Sequence, residues 1–348
     1  MKKLKLGKSN INITAMTVGC WAFGGGEYWG AQSQNDVNEV VSAALDAGVN
    51  TFDTAEVYNN GASERSLGEA LKSRRTEAVI ISKISPSNCN SVREHCIASL
   101  QRLDTDYLDV YMLHWPINRL SVEHFSSDSS LISAPPTVEK TFHQLEQLKK
   151  EGLIRAIGVS NFGCGQMDEA LQTGVSIDVN EITYNLVSRA IEADIAPYCM
   201  AHDISIIGSM GLQQGLLTGK YRTAAEVPSH QAHSRHFAQE SGKGTSRHNE
   251  AGAEREIFEV VDALRDIAAD LNVEPGQLAI AWMLKKPFIA SALVGSRNIN
   301  QLKANIKACT IEISDATEQA LDLVSQPALN ALGNNPDYYE NSANSRIY

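Results

Sequence analysis

Long apolar runs are missing from this 348-residue chain, and none of its hydrophobic segments is long enough to span a bilayer. A basic excess is missing too: 30 Lys and Arg stand against 41 Asp and Glu, a formal net charge of −11. That balance disfavours nucleic acid and anionic membrane surfaces as partners. The six cysteines, Cys20, Cys89, Cys96, Cys164, Cys199 and Cys309, form no CxxC pair. They therefore read as buried or incidental thiols in a reducing compartment, not as a disulfide frame or a zinc site. No G-x-G-x-x-G follows the first strand-like run and no Walker sequence occurs, which argues against a Rossmann dinucleotide site or a P-loop. The first residues, MKKLKLGKSNINIT, are basic but lack an apolar core, so no secretory leader is expected and the expected location is cytoplasmic.

What is present is alternation. Strand-like ITAMTVGCW precedes helix-like NDVNEVVSAALDAG, which Gly48 ends as a C-terminal cap. VNTFD precedes SERSLGEALKS, with Ser63 as candidate cap. AVIISK, YLDVYMLH, IRAIGVSN, SIDVNE, ISIIGSM and FIASALVGS follow, separated by helical patterns. In TVEKTFHQLEQLKKEG, Val138, Phe142, Leu145 and Leu148 fall on one face. Apolar strands alternating with helices imply right-handed βαβ units, and their number fits a (β/α)8 TIM barrel in one domain spanning 1–348. Two polar stretches, 116–136 and 223–252, are expected as long loops on the strand-exit side and are candidate lids. Residues 331–348 form a C-terminal tail. The second stretch holds His230, His233, His236 and His248, but without acidic or cysteine co-ligands a solvated loop is the better reading, and no metal is expected.

Asp53, Tyr58, Lys83 and His114 each lie at or just past the end of one of three successive apolar runs, in TFDTAEVYNNG, AVIISKI and YLDVYMLHWP. The rim of a parallel barrel is where such an enzyme assembles its chemistry. Reducing a carbonyl needs a hydride donor and a group that protonates the forming alkoxide. A tyrosine beside a lysine ammonium can exchange that proton in both directions. Lys83 supplies the charge, Asp53 holds Lys83, and His114 orients the substrate oxygen by a hydrogen bond. Each residue alone also has an ordinary structural role: a turn cap for Asp53, a loop aromatic for Tyr58, an exposed strand end for Lys83, a satisfied rim histidine for His114. Their common placement favours catalysis.

In GSRNINQLKAN, Gly295, Ser296 and Arg297 have the composition of a phosphate grip at a helix start, with Gln301 and Asn305 one turn apart.

Over almost its whole length the chain resembles the aldo-keto reductases. The matching frames are TVGCWAFGG, FDTAEVYNNGASERSLGEAL, IISK, RLDTDYLDVYMLHWP, GLIRAIGVSNF, GLLTGKY and GSRNINQLKAN. The tail NPDYYENSANSRIY is similar to the ends of bacterial members that act on sugars and polyols. The resemblance implies Tyr58 as proton donor, supported by Asp53, Lys83 and His114. It also implies NADP(H), with Arg297, Gln301 and Asn305 at the 2′-phosphate and adenine, and Ser160 and Asn161 at the nicotinamide carboxamide. Gly215, Leu217 and Lys220, with Leu212, match the segment along the pyrophosphate, and Gly19, Cys20, Trp21 and Asp53 lie on the cofactor side of the mouth.

Two departures stand out. Glu181 occupies a position where the family usually has Gln, and a carboxylate cannot donate to the carboxamide carbonyl. Ser209 replaces an aromatic that stacks on the nicotinamide, and Gly211 replaces a Pro. Tyr28, Trp29 and Trp115 are candidate walls of a cleft for a small aldehyde or sugar. The rival to an NADP-dependent carbonyl reductase is a cofactor-bound regulatory or sensing protein with little turnover, since the fold alone does not prove catalysis.

Overall fold

The computed structural model describes residues 1–229, 231–232, 234–238 and 249–348. The chain opens with an antiparallel hairpin, β1 (Lys3–Lys5) and β2 (Asn12–Thr14). Eight parallel strands then close into a barrel: β3 (Met16–Gly19), β4 (Thr51–Asp53), β5 (Val79–Ile84), β6 (Leu108–Leu113), β7 (Ile154–Ser160), β8 (Val179–Thr183), β9 (Ser205–Ser209) and β10 (Ile289–Gly295), with β10 pairing back to β3. The expected barrel is therefore present; the hairpin is an addition.

The barrel interior is a small apolar core of Ile81, Val110, Met112, Ala156, Val179 and Ile207, and the hairpin inserts Leu6 and Ile13 into it. Gly158 belongs to this interior because a Cβ there would meet Met112 Cγ at 2.7 Å and Val179 Cγ1 at 2.8 Å. Packing is thus dense at the amino-terminal end, and the polar groups collect at the opposite mouth.

A larger core fills the space between strands and outer helices. The helix Val138–Lys150 shows how sequence produces it: Thr137 caps its start by accepting from Lys140 N, and Thr141, Phe142, Leu145 and Leu148 face inward. Burying each of its large apolar side chains contributes roughly 1.5–3 kcal/mol. Gly48 ends Gln34–Asp46 as expected, at φ +78°.

Two details differ from expectation. Ser63 does not cap Ala62–Leu71, whose N-cap is Gly61; its hydroxyl donates to Cys20 O (2.7 Å) and pairs with Thr54 Oγ1 (2.8 Å). Ser63 is fully buried, so its hydroxyl takes the nearest barrel-rim acceptor in place of the helix amides. Segment 116–136 is not a plain loop but holds two short helices, Arg119–Phe125 and Ser129–Ser133, capped by Asn118 and Asp128. Both caps are the Asn/Asp type that nucleates a helix start.

Candidate active site

The exits of β4, β5, β6 and β8 converge on one buried cluster. Asp53 ends β4 and Lys83 lies near the end of β5, and the Lys83 ammonium hydrogen-bonds Asp53 Oδ2. It also donates to the carbonyl of Thr54 at 3.1 Å and stands 3.4 Å from Glu181 Oε1. Lys83 is completely buried and Asp53 nearly so. Burial alone would lower the Lys83 value, yet the charges of Asp53, Glu181 and Tyr58 outweigh it and hold the ammonium well above its usual range. Asp53 is pushed up by burial and by the Glu181 carboxylate, against the pull of Lys83.

Tyr58 sits in the turn after β4, its ring centre 5.2 Å from Lys83 Nζ and 5.6 Å from the His114 ring, edge to face. Burial raises its hydroxyl above the ordinary phenol range; Lys83 pulls down, Asp53 and Glu181 push up. From the sequence only the pull of the lysine is visible. The fold adds burial and the carboxylates, and the net effect keeps Tyr58 protonated. His114 directly follows β6. Burial first, then the Lys83 and His124 charges, hold it far below the usual histidine range, so its ring is neutral. Its Nδ1 is buried without a partner among the described residues.

Local backbone fixes these groups. Glu56, between Asp53 and Tyr58, accepts from Ser85 N (2.8 Å) and Asn88 Nδ2 (2.8 Å), and its other oxygen pairs with His95 Nδ1 (2.7 Å). It therefore pins the turn that carries Tyr58 to the loop after β5. Asn161, at φ +61°, donates from its amide to His114 O (3.2 Å) and Ser160 Oγ (3.0 Å), and from its backbone to Glu181 O (2.8 Å). Asparagine tolerates the left-handed region better than most residues, which lets one residue tie the exits of β6, β7 and β8 together.

Around Tyr58 lies an aromatic wall from the loop after β3. Trp21 stacks on Tyr58 (5.7 Å) and on Tyr28 (5.0 Å), and Trp29 meets both Trp21 and Tyr28 edge to face. Tyr28 reaches across the mouth to donate to Gln214 Oε1 at 2.8 Å. Trp115 is placed differently: it is buried, and the Arg346 guanidinium lies 3.6 Å over its ring.

The β9 and β10 exits form the opposite rim. Ser209 is half-buried at the end of β9. Met210, Gln213 and Gln214 all adopt positive φ. Gly211 is closely packed: a Cβ there would meet Met283 Cε at 2.9 Å, so the methionine tip would have to shift to admit a side chain. Leu212 is half-buried, while Leu217 and Cys20 are fully buried and belong to the outer apolar core. Gly19 is the last residue of β3, and Lys220 Nζ stands 2.9 Å from where a Cβ on Gly215 would be. Gly295 is exposed with open space beside it, and Ser296 Oγ accepts from Asn305 Nδ2 at 3.1 Å. Arg297 donates to Ala31 O (2.7 Å) and Gln32 Oε1 (3.0 Å), and its backbone N donates to Gln301 Oε1 (2.8 Å). The guanidinium is thus engaged with the loop after β3.

Of the four histidines in segment 223–252, His230, His233 and His248 lie outside the described residues. His236 pairs with Ser188 Oγ, Ser234 Oγ and the carbonyl of Val187, each at 2.9 Å. Two features have no counterpart in the sequence expectations: the Glu56–His95 brace and the docking of the tail. In that docking, Arg346 is buried in a bidentate pair with Asp337, and its carbonyl accepts from Asn118 and Gln166. The opposite charges of Asp337 and Arg346 are the only signal in the sequence, and nine residues of separation give no reason to pair them.

A model of the aldo/keto reductase family matches residues 15–325. The chain is similar to the NADH-specific methylglyoxal reductase of Escherichia coli, 32% identical over 91% of this chain and 96% of that one. It is also similar to a probable voltage-gated potassium channel subunit beta of Arabidopsis thaliana, 30% identical over 94% and 96%. Among solved structures, an aldo/keto reductase from Klebsiella pneumoniae in complex with NADP and acetate aligns with a TM-score of 0.70, 24% identity, and coverage of 94% and 96%. That last likeness speaks to the fold alone. Among the described residues, no helix is long and apolar enough to cross a membrane.

Proposed function

Because the chain belongs to the aldo/keto reductase family, and is an oxidoreductase of that family, we propose that it reduces a small aldehyde or ketone to an alcohol with NADP(H), using Tyr58 as proton donor. The observation that carries this reading is the Tyr58–Lys83–Asp53 arrangement at the β4 and β5 exits, with His114 against Tyr58.

The dinucleotide fits the rim on two observations. Glu181 Oε2 is a buried acceptor with no partner among the described residues, available to a carboxamide N–H. Gly295 is exposed with no atom within 4 Å of where a Cβ would sit, so the start of the helix that carries Gln301 and Asn305, beside Arg297, is unobstructed there and suits a phosphate. When bound, the reduced nicotinamide supplies the hydride. The residues of the chain do the rest. A neutral His114 donates a hydrogen bond to the carbonyl oxygen and orients it. As the carbonyl carbon gains the hydride, the π pair moves to oxygen and the Tyr58 hydroxyl gives that oxygen its proton. Lys83 stabilises the phenolate left behind until solvent reprotonates it, and Asp53 fixes Lys83 in place. Trp21, Tyr28 and Trp29 exclude water from this side of the cleft.

The relatives point two ways on the cofactor: the Escherichia coli protein is named NADH-specific, and the Klebsiella protein was solved with NADP. We assign NADP(H) on the strength of Arg297 at the helix start. The cytoplasm is the assigned location, in line with the acidic charge and the reducing-type cysteines. The channel-subunit likeness sustains the regulatory alternative. One assay separates them: oxidation of NADPH, and in parallel NADH, with a panel of small aldehydes including methylglyoxal. Turnover that disappears in Tyr58→Phe while cofactor fluorescence titration persists supports reduction; absence of turnover on every carbonyl, with tight cofactor binding, overturns it.

A further inference from the structure

The Lys83 ammonium is surrounded by more negative charge than one ion pair requires. Asp53 hydrogen-bonds it from β4, and Glu181 approaches from β8 to 3.4 Å. Glu181 is 5% exposed, and its second oxygen has no partner among the described residues. The other titratable groups facing this centre are Cys20 after β3, Tyr58 after β4 and His114 after β6, with His124 acting on His114 from the helix beyond. Cys20 is a thiol held protonated by burial and by Asp53, and His114 is neutral. The charge balance of the buried cluster is therefore set by two carboxyl groups, one ammonium and one phenol.

We propose that Glu181 is a positioning residue that holds Tyr58 in its phenol form through the shared Lys83 ammonium, and so biases this site toward carbonyl reduction over alcohol oxidation. The inference rests on the reading of Tyr58 as proton donor. Reduction starts from the phenol, which gives up its proton. Oxidation starts from the phenolate, which takes the proton of the alcohol while the hydride leaves the carbon for the oxidised nicotinamide. With Asp53 and Glu181 both against Lys83, the one ammonium is already shared between two carboxyl groups, and a phenolate adds further negative charge to the same buried volume. A glutamine at 181 leaves the geometry nearly unchanged and removes one of those anions. The direction agrees with the separate pushes of Asp53 and Glu181 on the Tyr58 hydroxyl.

The test uses the full chain, free of cofactor, with its tyrosines labelled with carbon-13 at Cζ, the Tyr58 resonance being assigned by its loss in Tyr58→Phe. Because burial holds the Tyr58 hydroxyl above the ordinary phenol range, the titration runs from pH 9 to about 12.5, and that resonance should begin to move roughly one pH unit earlier in Glu181→Gln than in the parent protein, for a charge removed a few ångströms away. Glu181→Asp, which keeps the charge, should follow the parent. In the loaded enzyme with all reactants saturating, the ratio of the turnover number for alcohol oxidation to that for carbonyl reduction at pH 9 should rise about tenfold in Glu181→Gln, as the phenolate form becomes easier to reach. Superimposable tyrosine titrations in the parent and Glu181→Gln overturn the proposal even if turnover changes. Failure of the proton-donor reading shows separately, as reduction retained in Tyr58→Phe.

Discussion

The Lys83 ammonium stands 5.2 Å from the centre of the Tyr58 ring and draws that hydroxyl toward ionisation against two carboxylates. Its replacement should have two consequences. Lys83→Met should slow reduction at least 100-fold, by loss of support for the phenolate. It should also cost about 3–5 kcal/mol of stability, because Asp53 and Glu181 are left buried against each other. Steady-state kinetics and urea unfolding read the two effects independently.

Arg297 faces a choice between the loop after β3 and a ligand phosphate. Arg297→Ala should weaken NADPH by about 1.5–3 kcal/mol, the value of a charge-assisted hydrogen bond to phosphate, and NADH by less. Fluorescence titration with both cofactors checks this. Equal weakening would mean that the guanidinium serves only to clasp Ala31 and Gln32.

At Ser209 the cleft is half-open. Ser209→Tyr should tighten NADPH by about 0.5–1.5 kcal/mol through an offset stack on the nicotinamide, with slower turnover if cofactor release limits the rate. An unchanged or raised dissociation constant, with the fold intact by circular dichroism, rules out a vacant stacking position.

The tail offers a stability test. Arg346→Ala strands the buried Asp337 carboxylate and should cost about 3–5 kcal/mol. The pair Arg346→Met with Asp337→Leu should cost much less, since neither charge is then unpaired. Denaturation midpoints of the three proteins decide it, and a raised KM in Arg346→Ala would report the uncovering of Trp115.

Acid should act through His114. Its folded value lies far below the usual one of about 6.5, so below that pH the unfolded chain binds a proton the folded chain does not. Stability should fall with pH below about 6.5, by up to about 1.4 kcal/mol per unit, and be unaffected by this group above it. His114→Gln should flatten that part of the pH–stability curve in urea titrations at pH 7, 6 and 5.

The barrel is legible in the sequence because each strand is an apolar run closed by turn residues, and each helix carries its inward stripe, as Phe142, Leu145 and Leu148 do. The placing of Asp53, Tyr58, Lys83 and His114 at strand exits is legible for the same reason, since a strand end is visible in sequence. What is not legible depends on meetings between distant segments. Nothing local says that Glu181 comes within 3.4 Å of Lys83, that Arg346 covers Trp115, or that Tyr28 spans the mouth to Gln214. Ser63 illustrates the limit: it has the residue type and position of a helix cap, and a buried carbonyl of Cys20 claims it instead.

The hairpin that seats Leu6 and Ile13 in the barrel makes the cleft a dead end. Ligands then share a single doorway, and whatever lies deepest must arrive first and depart last. In the proposed reading the nicotinamide is drawn toward Glu181 and Ser209 at the inner rim and is the deeper of the two. Product inhibition patterns should accordingly show compulsory order: the alcohol product noncompetitive toward NADPH, and the oxidised dinucleotide competitive with it.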